Sequence, residues 1–179
     1  MIGNDGWEHL VSDIFGVHDY SASGELLRQR YGSAEALEHT LAKVQPYYKI
    51  LMLPDRATTE VPLMVTEFGG ITYDPESEDF WNGYGSVSDA AELLERYTDL
   101  ATALLDSPVV TGFCYTQLTD TAQERNGLLD ENRKPKVDPA TIHAVNRRPS
   151  AAVPADAIAE IQIVHAAHRN QPGMVGGGP

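Results

Sequence analysis

Basic side chains are scarce in this 179-residue chain: 13 Lys and Arg stand against 26 Asp and Glu, a formal charge of −13 at pH 7. That balance opposes binding to phosphate backbones and anionic membrane surfaces, so nucleic acid is not an expected partner. Cysteine is almost missing. Cys114 alone closes no intramolecular disulfide, and its place in the apolar run Val109-Val110-Thr111-Gly112-Phe113-Cys114-Tyr115 predicts a buried thiol rather than a catalytic one. No hydrophobic run nears the roughly 18 residues that a membrane span needs. Met1 is followed by Ile2-Gly3-Asn4-Asp5, not by a basic and then apolar leader, so the expected location is cytoplasmic. Hydrophobic content of 42% with 22% charged residues suits one domain with a sizeable core, and no internal repeat is visible.

The most informative stretch is Val61-Pro62-Leu63-Met64-Val65-Thr66-Glu67-Phe68-Gly69-Gly70. A short apolar run without alternation, closed by two glycines, predicts a strand buried on both faces, as in parallel sheets. Glu67 then sits at the C-terminal mouth of the strand, where parallel α/β folds gather catalytic groups. A carboxylate there is costly unless paired or used. From position alone, a structural ion pair with a helix is the favoured reading.

The rest of the chain alternates strands and helices. Residues 13–20 predict a strand ending in His18, Asp19 and Tyr20; residues 23–31 predict a helix with Ser23 as N-cap and Gly32 as its stop. A second helix is expected over 33–53, ended or kinked at Pro46, with the Tyr47-Tyr48 pair packing inward. The clearest helix spans 89–105, capped by Ser88, with Ala91, Leu94, Tyr97, Leu100, Ala101 and Leu104 on one face. Residues 108–115 predict another buried strand, and 139–146 the start of a last helix. The acid- and aromatic-rich loop 71–86 is long enough to suggest function. His18, Asp19 and Glu67 offer metal-ligand chemistry, but neighbouring strand residues face opposite ways, so no metal is expected.

Three segments, Pro62 to Gly70, Trp81-Asn82-Gly83-Tyr84-Gly85, and Gly112-Phe113-Cys114-Tyr115-Thr116-Gln117-Leu118-Thr119-Asp120, closely resemble the end of the catalytic barrel of family 2 glycoside hydrolases. That family comprises β-galactosidases, β-glucuronidases and β-mannosidases. The resemblance implies that Glu67 is the nucleophile of a retaining mechanism and that Tyr20 hydrogen-bonds its carboxylate. It reverses the structural reading of Glu67. It further implies that His18, Asn4, Trp7, Trp81, Tyr115 and Gln117 bind the sugar. Trp7 stacking on a pyranose and Trp7 covering a barrel rim remain equal readings, as do stacking by Trp81 or Tyr84 and a loop anchored by its own aromatics. For His18 the alternative is a rim hydrogen-bond network without substrate contact.

A complete (β/α)8 barrel takes about 250 residues and rarely fewer than about 200. The resemblance runs from Asn4 to about Asn146, so the expected fold is α/β: a partial TIM (β/α)8 barrel, about its last four β/α units, plus a C-terminal extension. Residues 1–148 would form the half barrel; 149–179 would form an Ala/Pro linker, a short helix and a Gly-rich disordered tail. No residue matches the family's acid/base; Glu8 stands nearby but out of register. The expected function is hydrolysis of O-glycosidic bonds in carbohydrates by a fragment that carries the nucleophile and lacks the acid/base, with no cofactor. The second expectation is a non-catalytic half-barrel module that assembles with a separate N-terminal half or binds carbohydrate, and a metal-dependent hydrolase ranks last.

Overall fold

A computed structural model of the chain describes residues 3, 5–53, 61–73, 85–154, 156, 157, 159–161 and 163. Three strands form one parallel sheet in the order β1 (Phe15–Asp19), β2 (Leu63–Gly69), β3 (Val110–Thr116). Each strand coincides with an apolar run anticipated above. Parallel strands need crossovers, and helices supply them: α1 (Gly24–Tyr31) and α2 (Ala34–Lys43) between β1 and β2, and α3 (Ala90–Leu105) between β2 and β3. α4 (Pro139–Asn146) follows β3. The described residues hold three strands where about four units were expected. No helix among the described residues is long and apolar enough to cross a membrane.

The helix boundaries follow side-chain chemistry. Ser23 and Ser33 cap α1 and α2 by accepting from the backbone N–H three residues on. α2 ends at Lys43, ten residues short of the expected end, because Pro46 cannot continue the backbone ladder; Pro46–Tyr48 forms a 3-10 turn instead. Tyr48 leaves that turn with φ 61° and is 96% exposed, so it does not pack inward as expected. Asp89, not Ser88, caps α3, while the Ser88 N–H and hydroxyl both donate to Glu92, a reciprocal closure of the first turn. α4 begins with Asp138 as cap and Pro139 in its first turn.

One face of the sheet carries the core. Val17, Leu63, Val65, Phe68 and Val110 are buried beneath Leu93, Tyr97, Leu100 and Leu104 of α3 and Leu27 and Tyr31 of α1. Full burial of such a side chain contributes about 1.5–3 kcal/mol. The buried face of α3 is rotated from the expected one: Leu93 is fully buried, Leu94 half-buried and Ala91 exposed. α1 and α3 touch closely enough that a Cβ on Gly24 would lie 2.6 Å from the Asp99 carbonyl oxygen, and Asp99 accepts from the Gly24 N–H.

The opposite face of the sheet, built by Met64, Thr66, Gly112 and Cys114, is half-exposed to exposed. β2 is therefore buried on one face only, and the Cys114 thiol is exposed rather than buried. No helix among the described residues packs on that face, so alternation sends every second side chain toward solvent.

Beyond β3, residues 117–136 form a loop around a buried ion pair. Lys136 Nζ donates to Asp120 Oδ1 at 2.8 Å and to the carbonyl oxygens of Tyr73 and Arg125. Asp120 also accepts from the Gly127 N–H. These bonds tie the loop to the segment after β2. Residues 156, 157, 159–161 and 163 are helical, within the stretch where a short C-terminal helix was expected.

Candidate active site

The C-terminal end of β2 departs from simple alternation. His18 pairs with Glu67 one step out of register from Val17 with Val65, so Thr66 and Glu67 form a bulge. The extra residue turns Glu67 onto the half-exposed face that Thr66 also occupies, and Phe68 returns to the core at 0% exposure. Glu67 thereby meets two side chains from β1 and the residue after it. The Tyr20 hydroxyl donates to Glu67 Oε2, and His18 Nδ1 lies 3.4 Å from the same oxygen. Tyr20 is buried, whereas the Glu67 side chain stays 37% exposed. The site thus holds a solvent-reachable carboxylate in one orientation.

The segment before β1 wraps His18. Asp5 Oδ2 lies 3.3 Å from His18 Nε2, and Thr66 Oγ1 donates to Asp5 Oδ1 at 2.6 Å. Gly6 has φ 89°, and a Cβ there would come within 2.7 Å of the imidazole. Trp7 meets the imidazole edge-on at 4.8 Å, with Lys49 Nζ 5.7 Å above the indole. Partial burial raises the Asp5 carboxyl, but the Thr66 hydrogen bond and the neighbouring His18 outweigh it and hold Asp5 below the ordinary carboxylate range. Asp5 is therefore ionised at neutral pH.

The structure brings Glu67, Tyr20, His18 and Trp7 together. Tyr115 lies elsewhere: its ring packs against Phe68 and Tyr97 on the helix side, and its hydroxyl donates to the Asn126 carbonyl. Burial pushes that hydroxyl above the ordinary tyrosine range. Gln117 Nε2 donates to Thr121, Glu124 and Asn126 within its own loop. Asn4 and Trp81 lie outside the described residues. Glu8 is exposed with φ 56°.

Asp19 and His18 face opposite ways. Arg30 Nη1 donates to both Asp19 oxygens at 2.7 Å, and Tyr31 and Ser21 also donate to it. Asp19 is thus a core ion-pair partner, and the His18, Asp19, Glu67 set is not assembled. Among the described residues no cluster of three or more His, Cys, Asp or Glu is arranged to hold a metal ion.

Asp5 and Thr66 belong to the site without having been singled out in the sequence. Alternation puts Thr66 and Glu67 on opposite faces, and only the bulge unites them.

No protein-family model matches the chain, and no curated protein matches it. Among solved structures it is similar to an exo-β-agarase, with 18% identity, 85% of this chain and 17% of that chain covered, and a TM-score of 0.44. It is also similar to the Bifidobacterium dentium β-glucuronidase complexed with coumarin-3-O-glucuronide, with 18% identity, 77% and 21% coverage, and a TM-score of 0.43. The chain spans less than a quarter of either protein's length. Likeness at this level assigns no family.

Proposed function

We propose that the chain is part of the catalytic barrel of a retaining β-glycosidase of the family 2 type, with Glu67 as nucleophile. The observation that carries this reading is the pairing of a strand-mouth Glu67 with the Tyr20 hydroxyl. Tyr20 and His18 both address Oε2, which leaves Oε1 to attack an anomeric carbon. Attack forms a glycosyl ester and expels the leaving oxygen with its electron pair; water then cleaves the ester. A retaining site needs a second carboxyl group about 5–5.5 Å away that protonates the leaving oxygen. Asp5, across His18 from Glu67, is a poor candidate, because its carboxyl is held below the ordinary range and a general acid needs the reverse. On this reading the acid/base is a residue other than Asp5, since no position of the chain resembles the family's Asn-Glu acid/base motif.

Dinitrophenyl β-glycosides test the reading, since dinitrophenolate leaves without a proton donor. The chain should release dinitrophenol slowly, azide should accelerate release by attacking the ester and yield a β-glycosyl azide, and Glu67→Gln should abolish both. Release that is the same in Glu67→Gln contradicts the proposal.

A second reading, a non-catalytic half barrel that joins a separate partner or binds carbohydrate, is favoured by the half-exposed face of the sheet opposite the helices and by edges at β1 and β3 to which no further strand pairs among the described residues. Under it, Glu67→Gln leaves sugar or partner binding intact.

A further inference from the structure

We infer that Asp5 is a positioning residue for Glu67 and acts through His18. The inference rests on the reading of Glu67 as nucleophile. The two nitrogens of an imidazole are rigidly linked, so fixing one fixes the direction of the other. His18 Nε2 lies 3.3 Å from Asp5 Oδ2, and Nδ1 lies 3.4 Å from Glu67 Oε2. The ring therefore bridges two carboxylates on different segments.

The bridge is held on its remaining sides. Gly6 lies against the ring too closely for any side chain at that position, and Trp7 packs edge-on. The His18 side chain is only 12% exposed, so its ring has little room to turn. Asp5 is in turn fixed by the Thr66 hydroxyl, whose residue directly precedes Glu67 on β2. A closed circuit results: Glu67 to His18 to Asp5 to Thr66 and back along the backbone. Nε2 makes no well-aligned hydrogen bond, so its coupling to Asp5 is one of charge and packing. Outer partners of this kind orient a reacting group without touching substrate.

The test uses the full chain and the variant Asp5→Asn, whose amide oxygen still accepts from Thr66 while the charge is gone. The first readout is the 15N chemical shift of each His18 ring nitrogen, with no sugar present. The second is inactivation by 2,4-dinitrophenyl 2-deoxy-2-fluoro-β-glycosides, separated into a binding constant and a maximal rate. The expected result is movement of both nitrogen signals, Nδ1 on the Glu67 side included, and a maximal rate lower by about 10-fold with binding unchanged. An unmoved Nδ1 signal, or an unchanged maximal rate, overturns the inference. Failure of the unsubstituted chain to inactivate counts against the nucleophile reading instead, and the NMR coupling then tests the bridge alone.

Discussion

Tyr20 and Glu67 stand 47 residues apart in the chain, and the hydroxyl of one donates to the carboxylate of the other. The contact exists because β1 and β2 are adjacent parallel strands whose C-terminal ends coincide, and because a bulge turns Glu67 toward β1. Hydrogen bonds to charged groups are worth about 1.5–3 kcal/mol. Tyr20→Phe should therefore slow Glu67 glycosylation by roughly 10- to 100-fold. Stopped-flow dinitrophenol release measures the change. Glu67 is part-exposed and remains solvated in the variant, so the melting temperature should shift little.

The Asp19 and Arg30 pair makes a prediction about stability. Asp19 is 1% exposed and holds Arg30, Tyr31 and Ser21. Removing one partner of a buried pair costs about 3–5 kcal/mol. Arg30 is partly exposed, so Arg30→Ala should fall at the lower end of that range, read from urea unfolding midpoints. Tyr31 reports the same environment: burial, then the Asp19 charge, pushes its hydroxyl well above the ordinary tyrosine range.

Cys114 makes a chemical prediction. Its side chain lies on the uncovered face of β3. Native protein should react with Ellman's reagent at one equivalent per chain, as fast as denatured protein to within an order of magnitude. Protection that disappears on denaturation would show that this face is covered in solution.

Asp5 predicts the sign of an acid effect. Its folded-state carboxyl lies below the ordinary value of 3.8, so it contributes stability that is present above pH 3.8 and lost as pH falls through the lower folded value. Asp5→Asn should narrow the stability difference between neutral pH and pH 3, measured by thermal melts across that range. The side chain is 55% exposed, so the effect is small.

Much of the fold is legible in the chain because its signals are local. Ser23, Ser33 and Pro46 mark helix ends by hydrogen-bond chemistry that neighbouring residues complete, and the apolar runs around Val65 and Val110 become strands. The rotation of α3 toward Leu93 is less legible, since leucines at 93 and 94 compete for one buried stripe and tertiary packing decides. That Glu67, Tyr20 and His18 lie near one another follows from two neighbouring parallel strands ending at the same level, which the strand-mouth pattern made readable. The contact of Asp5 with His18 was not readable, because it depends on a loop folding back over His18. Nor was the grouping of Thr66 with Glu67, because a bulge leaves no mark in hydrophobic periodicity. The exposure of Cys114 was missed for a third reason: an apolar run does not say whether the second face of its sheet is covered.

A nucleophilic Glu67, as proposed, forms a bond to an anomeric carbon. The direct measurement is peptide mapping by mass spectrometry after prolonged incubation of the chain with 2,4-dinitrophenyl 2-deoxy-2-fluoro-β-glycosides of galactose, glucose, glucuronate and mannose. The expected result is one fluoroglycosyl adduct from at least one of these sugars, on the peptide that contains Glu67, and none in Glu67→Gln. An adduct on a different carboxylate, or no adduct from any of the four, contradicts it.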